Sequence, residues 1–226
     1  MSNIHIHYFG CSFTNSEHSK TGYQFINFRK LIEEKINCNS TNHSENGMAN
    51  QHIFDKVYKL SKTENVSDSI FVIQTTFLDR LGMYCDLENE FISMCKIESP
   101  DSQVDGVKIN FYNDWIKYFY SNNNQYLEFE KEIDLLANWL KSNNIQFIFI
   151  GMDGMLSKLD KSFFERNNFA IFDNKEFAFY PYAASNKLRI ADTISKKESN
   201  GVLDFHFNQL GHNRLAEGIL RKIKFV

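Results

Sequence analysis

Two short runs, Ser69-Ile70-Phe71-Val72-Ile73-Gln74 and Ile145 to Ile150, are almost continuously apolar, β-branched or aromatic, with no alternation of apolar and polar residues. A strand that is apolar on both faces must be covered on both, and that condition is met by a parallel sheet held between layers of helices. The intervening sequence supplies such helices. Phe25, Phe28, Leu31, Ile32 and Ile36 recur at helical spacing between Tyr23 and Ile36, and Ile53, Val57 and Leu60 resume it. Phe129, Ile133, Leu136 and Leu140 mark a third helix, which Ser142-Asn143-Asn144 ends. Residues Ile4 to Phe9 read as a first strand running into a tight turn at Gly10.

Parallel strands need crossover connections, which are usually helical, so the alternation predicts an α/β chain. The expected architecture is a three-layer α/β/α flavodoxin-like domain with a central parallel sheet. At 226 residues the length suits a single domain over 1–226. Residues 37–46 are Asn/Ser/Thr-rich and read as a loop, and the segment around 84–124 lacks a clean period and reads as an insertion or lid. Between Met152 and Asn200 the pattern predicts helix near Ser162 to Asn167 and extended structure near Phe177 to Tyr182. Asn208 is placed to cap a terminal helix with Leu215, Ile219 and Ile223 on one face and Arg221, Lys222 and Lys224 near its negative end.

With 25 basic and 28 acidic residues the net charge is −3, and no Lys/Arg block offers a local attraction to phosphates, so nucleic acid is not an expected partner. The start, Met-Ser-Asn-Ile-His-Ile-His, lacks a basic, then apolar leader, and no stretch approaches a membrane span. A cytoplasmic location is therefore expected. Cys11, Cys38, Cys85 and Cys95 form no Cys-x-x-Cys pair and share no zinc spacing with histidine, so free thiols and no metal are expected.

Ligands of parallel α/β sheets bind at the carboxyl ends of the strands. Two groups of reactive residues bear on that edge. Gly10-Cys11-Ser12 places a serine just past the first strand, and Asp204-Phe205-His206 places an acid and an imidazole directly before the terminal helix. A serine hydroxyl becomes a useful nucleophile when a histidine accepts its proton and a carboxylate fixes the tautomer of that histidine. Each residue also has a plainer role open to it. Ser12 suits the cap of a helix, Cys11 is either a rival nucleophile or a small packing residue, and His212 competes with His206 as the base. His5 and His7 share a strand face and read as structural rather than as a metal pair. Arg80 suits either a substrate carboxylate or sugar oxygen, or an ion pair with Asp79 or Asp86. The aromatic runs Phe111 to Tyr120 and Phe177 to Tyr182 suit a pocket wall or simply core.

Gly10-Cys11-Ser12-Phe13 at one chain end, and Asp204-Phe205-His206 followed by Gly211-His212 at the other, resemble the first and last blocks of the SGNH (GDSL-like) hydrolases, in the single-domain form met in bacteria. Asn46-Gly47-Met48-Ala49-Asn50 is similar to the glycine-bearing second block. The third block, usually Gly-x-Asn-Asp, is represented by Gln74-Thr75-Thr76-Phe77, without its Asn; Cys11 replaces an Asp, and one residue rather than two separates Asp204 from His206. The resemblance implies a catalytic triad of Ser12, Asp204 and His206 with no cofactor. It also implies an oxyanion hole drawn from the N–H groups of Ser12 and Gly47 and a side chain, Asn50 or Thr76, with Asn50 expected to be the stronger donor. The implied function is a serine esterase that removes a small, acetyl-like acyl group from a small-molecule or glycan ester. An O-acyltransferase on the same triad, or a binding or scaffold protein on the same fold, are the alternatives.

Overall fold

The computed structural model describes residues 4–15, 23–63, 66, 68–85, 90–94, 113–115, 117–118, 120–172, 176–193 and 204–223. Four strands, β1 (His5–Phe9), β2 (Asn39–Asn42), β3 (Ser69–Gln74) and β6 (Gln146–Ile150), form one sheet in the order β2-β1-β3-β6. All its pairings are parallel, with Tyr8 opposite Asn42 and Val72, and Ile73 opposite Phe149. The expected α/β class and central parallel sheet are those of the structure. β3 is buried at all six positions, as its apolar sequence requires of a strand covered on both faces.

The covering helices are α2 (Phe28–Ile36) and α7 (Gln209–Leu220) on one face, α3 (Asn50–Thr63) and α4 (Asn122–Ser142) on the other. Tyr8 meets Phe28 of α2 edge-on at 5.9 Å, and Phe28 stacks on His212 of α7. On the opposite face Phe149 stacks on Phe169 at 5.2 Å, Phe169 meets Phe163 of α5 (Lys161–Arg166), and Phe163 meets Phe129 of α4. Trp139 Nε1 of α4 donates to Ser61 Oγ of α3, closing that layer. No helix among the described residues is long and apolar enough to cross a membrane.

Side-chain capping sets three of the helix starts. Asn208 accepts from Gly211 N at the head of α7, and Asp160 from Ser162 N at the head of α5. The first amphipathic helix begins at Phe28 instead of Tyr23, because the Asn27 side chain accepts from Arg29 N and ends the helix there. Ile223 lies beyond the end of α7 yet is buried with Leu215 and Ile219.

Two further expectations need correction. Residues 39–42, read as loop, are the edge strand β2; its polar Asn-Ser-Thr-Asn sequence hides it because the strand is partly exposed and held by main-chain pairing to β1. Phe177 to Tyr182, read as extended, instead enters helix α6 (Phe179–Ser185). Pro181 fits its first turn, where a missing N–H removes no helical bond. The segment around 84–124, read as an insertion or lid with some helix, overlaps an antiparallel strand pair, β4 (Leu81–Cys85) with β5 (Glu90–Met94), and has helix at 113–115, while its residues 86–89, 95–112, 116 and 119 lie outside those described.

Phe149 is fully buried and touches Phe147 and Phe169 as ring neighbours. Replacing it with alanine leaves a cavity in the α4/α5 layer, and urea unfolding of Phe149→Ala is expected to show a loss of about 3–5 kcal/mol. A loss below about 1 kcal/mol would show that this face of the sheet is not packed as described.

Candidate active site

The carboxyl ends of β1, β3 and β6 open onto a common edge, and each sheds a short loop there. β1 runs through Gly10 and Cys11 into a single helical turn, α1 (Ser12–Asn15), in which Thr14 N and Asn15 N both donate to Cys11 O. A Cβ on Gly10 would lie 2.5 Å from Thr14 Oγ1 and 2.9 Å from Gln74 Cβ, so only glycine lets the turn close against β3. Thr14 Oγ1 donates to Gln74 Oε1, and Gln74 Nε2 donates to the buried Cys11 Sγ at 3.3 Å. Cys11 thus faces the core as a free, packed thiol, while the adjacent Ser12 is half-buried.

The second loop leaves β2 and folds back over the end of β1, through His43 N to Tyr8 O and Glu45 N to Gly10 O. Asn15 at the end of α1 donates to Asn46 and accepts from Asn42, which ties the serine turn to this loop. Gly47 has φ +80°, a left-handed backbone that an L side chain rarely adopts. Three residues on, Asn50 opens α3. Its carboxamide is engaged at both ends with one residue: Oδ1 accepts from Thr76 N at 2.7 Å and Nδ2 donates to Thr76 O at 3.3 Å. The hydroxyl of Thr76 itself is buried and has no hydrogen-bond partner. The side chain expected to be the stronger oxyanion donor is therefore a brace for the main chain of the other candidate.

Below this pair, Thr75 Oγ1 donates to Ile150 O and accepts from Met152 N, and Asp153 Oδ2 accepts from Leu78 N at 2.7 Å. Arg80 Nη1 donates to Met48 O at 3.3 Å, and its guanidinium lies 5.3 Å from the Phe77 ring centre. Of the two acids expected to pair with Arg80, Asp86 lies outside the described residues, and no bond to Asp79 is seen among them.

The acid–base pair comes from the far end of the chain. Residues 204–208 run antiparallel to 188–191, with Ala191 N donating to Asp204 O, Ile190 N to His206 O and Asn208 N to Leu188 O. The bidentate pair of Arg189 and Asp192 stiffens the facing turn. Asp204 is buried, and its Oδ1 accepts from His206 Nδ1 at 2.7 Å and from His206 N at 3.0 Å. A carboxylate on Nδ1 holds the proton there and leaves Nε2 as the acceptor. Nε2 is buried without a hydrogen-bond partner, so no bond joins it to Ser12 in this structure. Phe13, the residue after Ser12, packs against the His206 ring at 4.7 Å and against Phe207 at 5.0 Å.

The other histidines have different surroundings. His212 is buried, accepts from Phe28 N through Nδ1, and stacks on Phe25 at 4.5 Å. Burial above all, with the nearby His206 and Arg29 adding to it, pushes its pKa down to about 3. His5 bonds Thr41 and His7 bonds His43, so these rings serve β1 and β2; burial and the neighbouring His5 and His43 lower His7 to about 4. No group of metal-ligating side chains occurs among the described residues. Thr14, Gln74 and Asp153 were not anticipated; a glutamine closing an otherwise apolar strand and an acid just past Gly151 were the available signals.

No family model matches the sequence, and no curated protein matches it. Solved structures do match. A catalytic mutant of Axe2, an acetylxylan esterase from Geobacillus stearothermophilus, aligns with a TM-score of 0.54 at 12% identity, over 100% of this chain and 95% of that one. LAE5, an α/β hydrolase enzyme from the metagenome of Lake Arreo, Spain, gives 0.53 at 11% identity over 98% and 94%. The psychrotrophic esterase EstA from Pseudoalteromonas sp. gives 0.50 at 10% identity over 98% and 96%. The chain has the fold that these structures share, an α/β fold with a central parallel sheet between helices, as expected from its alternating strands and helices.

His212 and His7 are held neutral in the folded chain, while the unfolded chain binds their protons near the ordinary value of 6.5. Below that value the unfolded state carries more protons, so stability falls as pH drops from about 6.5 towards about 4, by up to about 1.4 kcal/mol per pH unit for each ring. Denaturation midpoints of His212→Gln at pH 7 and pH 5 are expected to differ less than those of the wild type. An equal difference would show that His212 does not carry this acid sensitivity.

Proposed function

We propose that this chain is a serine esterase-type hydrolase that cleaves a small acyl ester, acetyl-like in size, from a carbohydrate or other polar molecule. The observation that carries the reading is the buried Asp204–His206 pair, with Nδ1 tied to the carboxylate and Nε2 unpartnered beside the turn that begins at Ser12. A buried ring nitrogen without a partner costs free energy unless it has a proton to accept, which suits a general base. The acetylxylan esterase among the structures of the same fold supports the choice of acyl group and of a carbohydrate alcohol.

In this mechanism Ser12 Oγ attacks the ester carbonyl carbon as its proton passes to His206 Nε2, and Asp204 stabilises the resulting imidazolium. The carbonyl oxygen becomes an oxyanion. Ser12 N–H, Gly47 N–H and the Thr76 hydroxyl are its donors, with Asn50 acting as a positioning residue that locks the Thr76 main chain. Collapse expels the alcohol, which takes the proton from Nε2. A water then gives its proton to Nε2 and attacks the acyl-serine; as the second tetrahedral intermediate collapses, Ser12 Oγ leaves and takes that proton back from Nε2, and the carboxylic acid is released. No metal or organic cofactor enters any step.

A fluorophosphonate probe is expected to label Ser12 and to leave Ser12→Ala unlabelled, as read by peptide mapping. Labelling of Cys11 would overturn the assignment. For the oxyanion hole, Thr76→Val keeps the shape and removes the hydroxyl, so kcat on an aryl acetate is expected to fall by about 10²–10³ with little change in KM. Asn50→Ala is expected to lower the melting temperature as well as kcat, because it uncaps the main chain of Thr76. If Thr76→Val keeps wild-type kcat, the hole is built from backbone N–H groups.

A further inference from the structure

One charged side chain at the strand edge is left over by that mechanism. Arg80 is half-buried beside the proposed oxyanion loop, with Nη1 on Met48 O, one residue past Gly47. Its guanidinium lies over Phe77, which meets Phe13 edge-on at 6.2 Å and Tyr180 at 5.3 Å; Phe13 in turn carries the His206 ring. The cation therefore caps the aromatic wall that runs to the acid–base pair. Among the described residues no carboxylate pairs with it. The adjoining Asp153 accepts from Leu78 N. By contrast, Arg189 is held in two bonds by Asp192, Arg166 in two by Asp134, and Arg214 by Glu217.

A guanidinium that gives one bond to a backbone carbonyl keeps several N–H donors in a planar fork, the geometry that matches a carboxylate. Partial burial beside an aromatic face weakens its hydration and strengthens its attraction to an anion. We infer that Arg80 is a specificity-determining residue of this site and that the substrate is an anionic ester, carrying a carboxylate on its carbohydrate or polar alcohol portion. The inference deepens the esterase reading and rests on it for the position of the ester. The carboxylate pairs with Arg80 while the ester carbonyl faces Ser12, so the pair acts mainly on binding and appears in KM.

The test compares two acetyl esters that differ by one carboxylate, an acetylated methyl glucuronide and the corresponding acetylated methyl glucoside, by acetate release. The wild type is expected to favour the glucuronide, and Arg80→Gln to reduce that preference in kcat/KM by about ten- to a hundredfold, mostly through KM. Arg80→Lys is expected to restore part of it, and added salt to weaken it in the wild type. A brace with no substrate role would lower both esters together and leave their ratio unchanged, which overturns the inference. Binding is measured separately by calorimetry with Ser12→Ala and with Ser12→Ala combined with Arg80→Gln, each titrated with the acetylated glucuronide. Loss of binding only when Arg80 is changed supports the anion site even if the wild type hydrolyses neither ester, in which case the esterase reading alone fails. Equal binding by the two variants, or none by either, overturns the anion site.

Discussion

Because all four strands of the sheet run parallel, their carboxyl ends must lie along one edge, and every crossover helix must start there. The serine turn, the Gly47 loop, Thr76 and Asp153 follow four different strands and still meet. What holds them is a set of short, buried, mutually satisfying bonds. Gln74 joins Thr14 and Cys11, Asn50 clasps Thr76, Thr75 bridges to Ile150 and Met152, and Asp153 takes Leu78 N. Buried polar groups are costly unless paired, so such a network fixes one geometry for the loops.

The chain ends are joined by apolar contacts together with hydrogen bonds, Ile26 N to Gln209 Oε1, Gln209 Nε2 to Ile26 O and Phe28 N to His212 Nδ1. Phe13 lies against both His206 and Phe207, Phe207 meets Phe179 at 4.7 Å, and His212 is stacked among Phe25 and Phe28. Aromatic pairs of this kind add about 0.5–1.5 kcal/mol each beyond the area they bury. The acid–base pair sits on this block through the 188–191 main chain, so its position depends on core packing and not on a flexible surface loop. Surface ion pairs such as Lys131 with Glu128, both well exposed, contribute little by comparison.

The same comparison separates the two histidines of the terminal motif. Both rings have a buried Nε2 without a hydrogen-bond partner among the described residues, but Nδ1 of His206 is held by a carboxylate, whereas Nδ1 of His212 accepts from Phe28 N and burial suppresses its basicity. Two rings six residues apart thus have opposite surroundings.

The sequence by itself determined the features that follow from local pattern. Ser69–Gln74 and Gln146–Ile150 had to be strands covered on both faces, Asn208 had to cap the last helix, and Gly10 had to precede a tight turn, since each rests on neighbours in the chain. The motifs at the two ends pointed to Ser12, Asp204 and His206 only through their resemblance to a known family. Tertiary structure alone decided what depends on distant partners. The polar edge strand at 39–42 exists because β1 offers it a ladder, and Phe179–Ser185 is helical because its side chains are buried against Phe172 and Phe207. Asn50 braces the Thr76 main chain because their loops meet across 26 positions of chain, a contact that no periodicity encodes.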